Sequence, residues 1–356
     1  MSCRSDGLEF SLASPEDSER ILELFEDRDF SGDISVLFTR RPDPYKSLML
    51  EGDKAVIPIV RNIKNGNIYA MGCCIIRKGF INGEIKNIGY LTSLKIAKEA
   101  KSILYMIKDV YRFLYEETKD EVDVYYTTIL EDNKDAQKLL EKKRKNMPVY
   151  NYEGDYKVYC FAKRSYNLRI KNMEGYKFEV GNMKGIKEFY KNNLNKYNFS
   201  PIDIDLPGVN DHDFLTMRDK NDNIIAACLL WDQNYHKQYI ITKYSGIFKY
   251  IHKLPTNFFG YPSFPKENKA VNYASISLFL VRNMDLEIAD FFLRNIAAYA
   301  KEYDFLMMGL FEDHPLNNIF KNIRHIKYKS RLYRVNWIDE FFELDDKPIS
   351  IEVGLL

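Results

Sequence analysis

Residues 86–117 read KNIGYLTSLKIAKEAKSILYMIKDVYRFLYEE, and the change of period inside this stretch decides the fold. Ile88 to Ile96 has the β-branched and aromatic composition of a strand. Ala100, Ile103, Ile107, Val110 and Leu114 then recur at helical three- and four-residue steps, which predicts an amphipathic helix. A strand that enters a helix through a few residues leaves the first helical amides unpaired and facing the turn. Those N–H groups, with the positive end of the helix dipole, suit an anion.

Upstream, Leu8–Ala13 reads as a strand. Ser14 caps a helix with Pro15 at its first position, and that helix buries Ile21, Leu22, Leu24 and Phe25. Arg40 to Met49 leads into a second short helix. Lys54–Val60 and Ile68–Arg77 read as strands joined through Asn65-Gly66-Asn67, and Phe80-Ile81-Asn82-Gly83 turns into the central strand. Downstream come a strand, Val122–Leu130, a helix from Asp132 to about Lys143, and a strand, Tyr156–Lys163.

From about Ser165 the order begins again. Tyr176–Gly181 is a strand, Met183–Leu194 a helix, His212–Arg218 and Ile224–Trp231 a strand pair, and Gln238–Lys243 is expected to extend their sheet. Ala274–Val281, a helix over about Leu286 to Glu302, Asp304–Leu310, a short helix Pro315–Asn322 and Tyr328–Trp337 complete it. A recurrence at roughly 165 residues predicts a duplicated domain, 1–165 and 166–356, the second with a C-terminal extension.

The 356 residues suit two domains. A formal charge of +1 gives no reason to expect a polyanion, so nucleic acid is an unlikely partner. The longest apolar runs, Met71–Ile76 and Ala226–Trp231, are too short to cross a bilayer, and no membrane partner is expected. The start, MSCRSDGLEF, has no apolar signal core. Cys3, Cys73, Cys74, Cys160 and Cys228 lack metal spacing and even pairing, which predicts reduced thiols, a cytoplasmic location and no metal. His212, His236, His252 and His325 add no metal spacing, and His314 before Pro315 reads as a cap. There is no G-x-S-x-G elbow, Walker sequence or G-x-G-x-x-G.

The order strand, two helices, three meandering strands, helix, strand, helix, strand resembles the GNAT superfamily of acyl-CoA N-acyltransferases. The most specific match is TTILEDNKDAQKLLEKK, in which Asp132-Asn133, Ala136, Leu139 and Glu141 follow the family's D-N-x-x-A-x-x-L-Y-E-K helix. Tyr90 to Ile96 resembles the family's fourth strand. The likeness covers about residues 8–163. It implies an α+β fold of two tandem acyltransferase-like domains, each a mixed, mostly antiparallel sheet flanked by helices.

The resemblance further implies an enzyme that moves an acetyl or other acyl group from coenzyme A to a small-molecule or peptide amine. Main-chain donors at Leu94, Lys95 and Ile96 would orient the pantetheine and polarise the thioester carbonyl. Amides at Lys101, Ser102 and Ile103 would hold phosphate, and Asn133 the pantetheine arm. This chain departs from the family at three places. Leu104 and Met106 stand where the coenzyme loop has small residues, Leu140 stands where a general-acid tyrosine is frequent, and the second half has Arg282-Asn283-Met284-Asp285 without glycine. No general base is evident; Glu84 is the nearest carboxylate to the central strand. The Lys142–Lys145 run reads as the solvated last turn of a helix, and Tyr125 and Tyr126 as packing residues. The Pro- and aromatic-rich loop LPTNFFGYPSFP, 254–265, is either a rigid surface loop or a substrate mouth. A catalytically silent binding module and an aminoacyl-tRNA-dependent transferase are the competing functions.

Overall fold

The computed structural model describes residues 3–5, 7–100, 107–145, 147–162, 173–337 and 342–356. The first half runs β1 (Cys3–Ser5), β2 (Leu8–Leu12), α1 (Ser18–Glu26), β3 (Ile34–Thr39), α2 (Pro44–Met49), β4 (Lys54–Val56), β5 (Pro58–Asn62), β6 (Ile68–Ile81), β7 (Glu84–Ile96), α3 (Ile107–Thr118), β8 (Val124–Leu130), α4 (Lys134–Leu140) and β9 (Val149–Phe161). The second runs β10 (Tyr176–Val180), α5 (Ile186–Leu194), β11 (Phe214–Asp219), β12 (Ile224–Trp231), β13 (Gln238–Tyr244), α6 (Phe248–Ile251), β14 (Lys269–Ala270), β15 (Tyr273–Val281), α7 (Leu286–Tyr299), β16 (Phe305–Phe311) and β17 (Ile326–Asn336).

Local chemistry explains where these elements start. Asp17 accepts from the Ser14 amide at 3.0 Å, so the capping pair sits on a 3-10 turn that feeds α1. Ile21, Leu24 and Phe25 are buried on one stripe of α1, with Leu22 at its edge. α4 stops at Leu140, so the basic run lies beyond the helix in an exposed turn, not in its last turn as expected. Pro315–Asn322 is a 3-10 helix, and His314 caps it by accepting from the Leu316 amide at 3.3 Å.

The main sheet has 14 strands, in the order β1-β2-β5-β6-β7-β8-β17-β9-β16-β15-β12-β11-β10 with β4 added on β6. Its pairs are antiparallel except β7–β8 and β15–β16, which gives the mixed, mostly antiparallel α+β architecture. One sheet runs through both halves, where two separate sheets were expected. The last strand of each half is exchanged: β17 pairs with β8, and β9 pairs with β16. β17 and β9 then pair with each other over eleven residue pairs and join the halves. The exchange satisfies the main-chain edges that β8 and β16 would otherwise expose.

β13 does not extend the main sheet. It pairs with β3, a strand absent from the sequence reading, and with β14, in a separate three-stranded sheet that ties the halves together again. Cys73 packs with Phe25 and Met71 in one core, and Cys74 with Val56, Leu114 and Tyr125 in another, so the neighbouring thiols face opposite sides of β6. Burial pushes the Cys74 thiol up to about 12, which keeps it protonated. The expected domain boundary near 165 lies outside the described residues.

Candidate functional site

β7 and β8 run parallel over three residue pairs only, Ile88–Val124, Gly89–Tyr125 and Tyr90–Tyr126, and separate beyond them. On its other side β7 bulges against β6. Met71 opposes Lys95 and Cys73 opposes Thr92, so Ser93 and Leu94 share the single partner position of Gly72. Ser93 carries a φ of +55°, the left-handed conformation that L residues adopt at a cost.

An apolar pocket of about 230 Å³ opens in the gap, walled by Cys73, Leu91, Val110, Leu114, Ile129 and Leu140. Beside it lies a cleft of about 870 Å³, rich in charged side chains, between residues 27–31, the end of β7 and the start of α4. Phe30, Leu94, Lys95, Leu130, Asn133 and Ala136 border both spaces. A ligand with a polar arm and an apolar tail would therefore change character at Leu94 and Lys95.

The Lys95 ammonium lies over the rings of Phe25 at 5.5 Å and Phe30 at 5.3 Å. It donates to the Phe25 carbonyl at 3.4 Å. Burial, then the nearby Arg28 charge, lower its pKa to about 8 against the opposing pull of Asp27. Asn133 accepts from the Ala136 amide at 3.1 Å and so caps α4 at the mouth of the pocket. Glu141, the last residue of the matched motif, pairs with Arg331 at 2.9 Å and accepts from the Tyr333 hydroxyl, fastening α4 to β17.

The cleft carries Arg28, Lys95, Lys134, Lys138 and Arg144 against Asp27, Asp29, Asp132 and Asp135. Asp27 engages Arg28 and Lys98, each at 3.5 Å. Among the described residues Lys138 and Arg144 have no ion-pair partner.

Leu140 is buried in the pocket wall. Tyr111 and Tyr150 line the same pocket, their hydroxyls pair at 2.5 Å, and burial pushes Tyr111 up to about 12. Tyr125 and Tyr126 are buried packing residues, Tyr126 stacked on Tyr90 at 4.8 Å. Glu84 is not brought here. It begins β7, pairs with Lys86 at 2.9 Å and is exposed. Ten residues separate it from Leu94 along an extended strand, roughly 30 Å. Lys101, Ser102, Ile103, Leu104 and Met106 lie outside the described residues. The reading missed Thr92, Thr127 and Thr128, which line the gap; alternation along β8 would have placed Thr128 on the face of Tyr126. It also missed residues 27–31, which carry no local signal of a ligand.

The second half repeats the bulge. Leu280 opposes Ala227 and Ser277 opposes Leu229, so Leu278 and Phe279 share Cys228, and Leu278 has a φ of +52°. Here the Leu278 amide donates to the Glu352 carboxylate at 2.7 Å, and the Tyr190 hydroxyl donates to the Leu278 carbonyl at 2.8 Å. The following turn, Val353–Leu355, packs on β15 against Trp231. Burial lifts the Glu352 carboxyl to about 7. Asp285 caps α7 by accepting from the amides of Glu287 and Ile288. The 254–265 loop does not border the cleft; Thr256 and Tyr244 tie it down through the carbonyls of Pro262 and Pro265, both at 2.8 Å.

Among the described residues no three His, Cys, Asp or Glu side chains group to hold a metal, and no helix is long and apolar enough to cross a membrane. No protein-family model matches the chain, and no curated protein matches it. Solved structures do. N-myristoyltransferase of Saccharomyces cerevisiae with bound myristoyl-CoA superposes with a TM-score of 0.58 at 10% identity, over 95% of this chain and 85% of that one. A GCN5-related N-acetyltransferase from Sphaerobacter thermophilus gives 0.53 at 10% identity, over 93% and 96%. The GCN5-related glucosamine N-acetyltransferase region of a fungal multi-domain β-N-acetylglucosaminidase gives 0.58 at 11% identity, over 93% of this chain and 38% of that one. Across nearly its whole length, this chain has the fold shared by GCN5-related N-acetyltransferases and N-myristoyltransferase.

Proposed function

We propose that the protein is an acyl-CoA-dependent N-acyltransferase with one donor site, at the gap between β7 and β8, and that the second half is a copy that keeps the fold without the site. The observation that carries this reading is the bulge at Ser93 and Leu94, set where an apolar pocket meets a cleft rich in charged side chains. The pantetheine would lie along Leu94 to Ile96 and past Asn133. Lys138 and Arg144 would meet phosphate, with the amides of Lys101 to Ile103 as expected from sequence. The acyl group would enter the pocket lined by Cys73, Ile129 and Leu140.

The reaction is direct. The amine attacks the thioester carbon, main-chain N–H groups at the bulge stabilise the oxyanion, and the C–S bond breaks to release coenzyme A thiol. The thiolate, whose conjugate thiol has a pKa of roughly 8.5, leaves without a tyrosine acid and takes up, through water, the proton that the amine nitrogen loses. The acceptor is a small-molecule or peptide amine. In the second half the equivalent bulge amide is already bonded to Glu352, which supports a single site. The same contrast weighs against a silent module, because the first half keeps an open pocket.

Calorimetric titration with acetyl-, hexanoyl- and decanoyl-CoA tests the reading. We expect one coenzyme per chain and affinity that rises with chain length, since each buried methylene contributes about 0.8 kcal/mol. Ile129→Trp should abolish that length dependence while retaining binding of coenzyme A itself. Two sites per chain, coenzyme density beside Val281, or no binding would overturn it.

A further inference from the structure

We propose that the surface formed by residues 247–261 docks on an anionic lipid surface. This segment includes most of the loop that the donor site leaves unexplained. Four of the five most exposed large apolar side chains among the described residues lie in it: Tyr250 at 69%, Ile247 at 65%, Phe259 at 59% and Leu254 at 55%. Tyr261 is exposed as well. Such a concentration is unlike the scattered single apolar residues of an ordinary surface.

The placement follows from a helical turn. Main-chain bonds Ile251→Ile247, His252→Phe248, Lys253→Tyr250 and Leu254→Ile251 carry the turn from 247 to 254. Ile247, Tyr250 and Leu254, spaced by three and four, therefore share one face. Phe248 and His252 take the opposite face and hold the body, Phe248 against Phe264 at 5.7 Å and His252 stacked on Tyr244 at 4.3 Å. Lys249 and Lys253 flank the apolar face, both exposed. The segment is anchored behind by Arg324, which donates to the Phe259 carbonyl and lies 5.8 Å over the Tyr261 ring.

Charge selects the occupant. No Asp or Glu stands between Asp232 and Glu267, while Lys249, Lys253 and Lys266 fall in that interval. The adjacent carboxylates are Glu267, which accepts from the Tyr244 amide, and Asp33, beside Gly246. Exposed Tyr, Phe, Ile and Leu flanked by lysines match an interface of headgroups over hydrocarbon: rings and aliphatic tips enter, and ammonium groups meet lipid phosphate. No described helix is long and apolar enough to cross a bilayer, and docking on its surface requires only this face.

The test is co-sedimentation of the full chain with vesicles of phosphatidylcholine alone or with phosphatidylserine added. Binding should appear with phosphatidylserine, weaken with salt, and fall about tenfold or more in a Lys249→Glu, Lys253→Glu variant. An Ile247→Ser, Tyr250→Ser variant should lose it too, with an unchanged melting curve because both side chains point outward. Fluorescence of a Tyr250→Trp variant should shift to the blue on anionic vesicles only. Absence of sedimentation, or equal binding by both variants, overturns the proposal. So does a dimer in light scattering that the Ile247→Ser, Tyr250→Ser variant dissolves, since the face would then belong to a second copy.

Discussion

Glu352 is a carboxylate buried beside a main-chain amide and at a distance from full compensation by Arg77. Its carboxyl is raised from 4.5 to about 7, so between those values the folded chain holds a proton that the unfolded chain has released. Stability then falls as pH rises through that window, and the cost persists above it. Glu352→Gln keeps an acceptor for the Leu278 amide and removes the ionisation. The variant should match wild type near pH 4 and unfold at a higher urea concentration near pH 8. A variant less stable than wild type at pH 8 would mean that the charge is needed. In the first half the charged group near the bulge is Lys95, an ammonium with a lowered pKa at the junction of pocket and cleft. Both are charged or ionisable groups near a bulge, and the first-half bulge borders the open pocket while the second-half bulge amide is bonded to Glu352.

Elements place those groups. The gap between β7 and β8 depends on a bulge whose leading residue, Ser93, is left-handed. Ser93→Gly removes the steric cost of that conformation and should leave stability and coenzyme binding near wild type. Ser93→Val adds a β-branched side chain where φ is positive and should cost about 1–2 kcal/mol, with weaker coenzyme binding as the bulge flattens. Urea melts and calorimetry on the two variants check this. Equal behaviour of Gly and Val would show that the bulge does not set the site. Asn133 belongs to the same scale: its side chain caps α4 where pocket and cleft meet.

The whole molecule is held by exchanged strands and a buried ion cluster. Glu51 on the first half pairs with Arg40 at 2.9 Å and with Lys237 of the second half at 2.7 Å. Burial would raise the Glu51 carboxyl, and the two cations overcome that and hold it at about 2. Lys237 also donates to the Leu356 main-chain oxygen at 2.6 Å. With β17 seated between β8 and β9, a chain cut within 163–172 loses the central strand from one half and the partner of β16 from the other. The separate halves should give no cooperative unfolding by circular dichroism and should aggregate through open strand edges. Co-expression should restore a soluble complex. A first half that folds cooperatively alone would show that the exchange is dispensable.

Sequence alone determined most of the elements. Helical spacing from Ile107 to Leu114, the Asn65-Gly66 turn and the Asn133 cap act within a few residues, so their pattern is written locally. The order of those elements was enough to indicate the acyltransferase architecture and to place Leu94 to Ile96 at the splayed strand. Tertiary structure decided what each element meets. Alternation along a strand specifies which face is buried, but its main-chain donors and acceptors are the same for every sequence, so nothing in β17 names β8 as its partner. For the same reason β3 and its pairing with β13, residues 27–31 at the cleft, and Glu352 at the second bulge were invisible until the chain was folded. Glu84 looked close to the site because it is near in sequence, yet ten extended residues carry it to the far end of the strand.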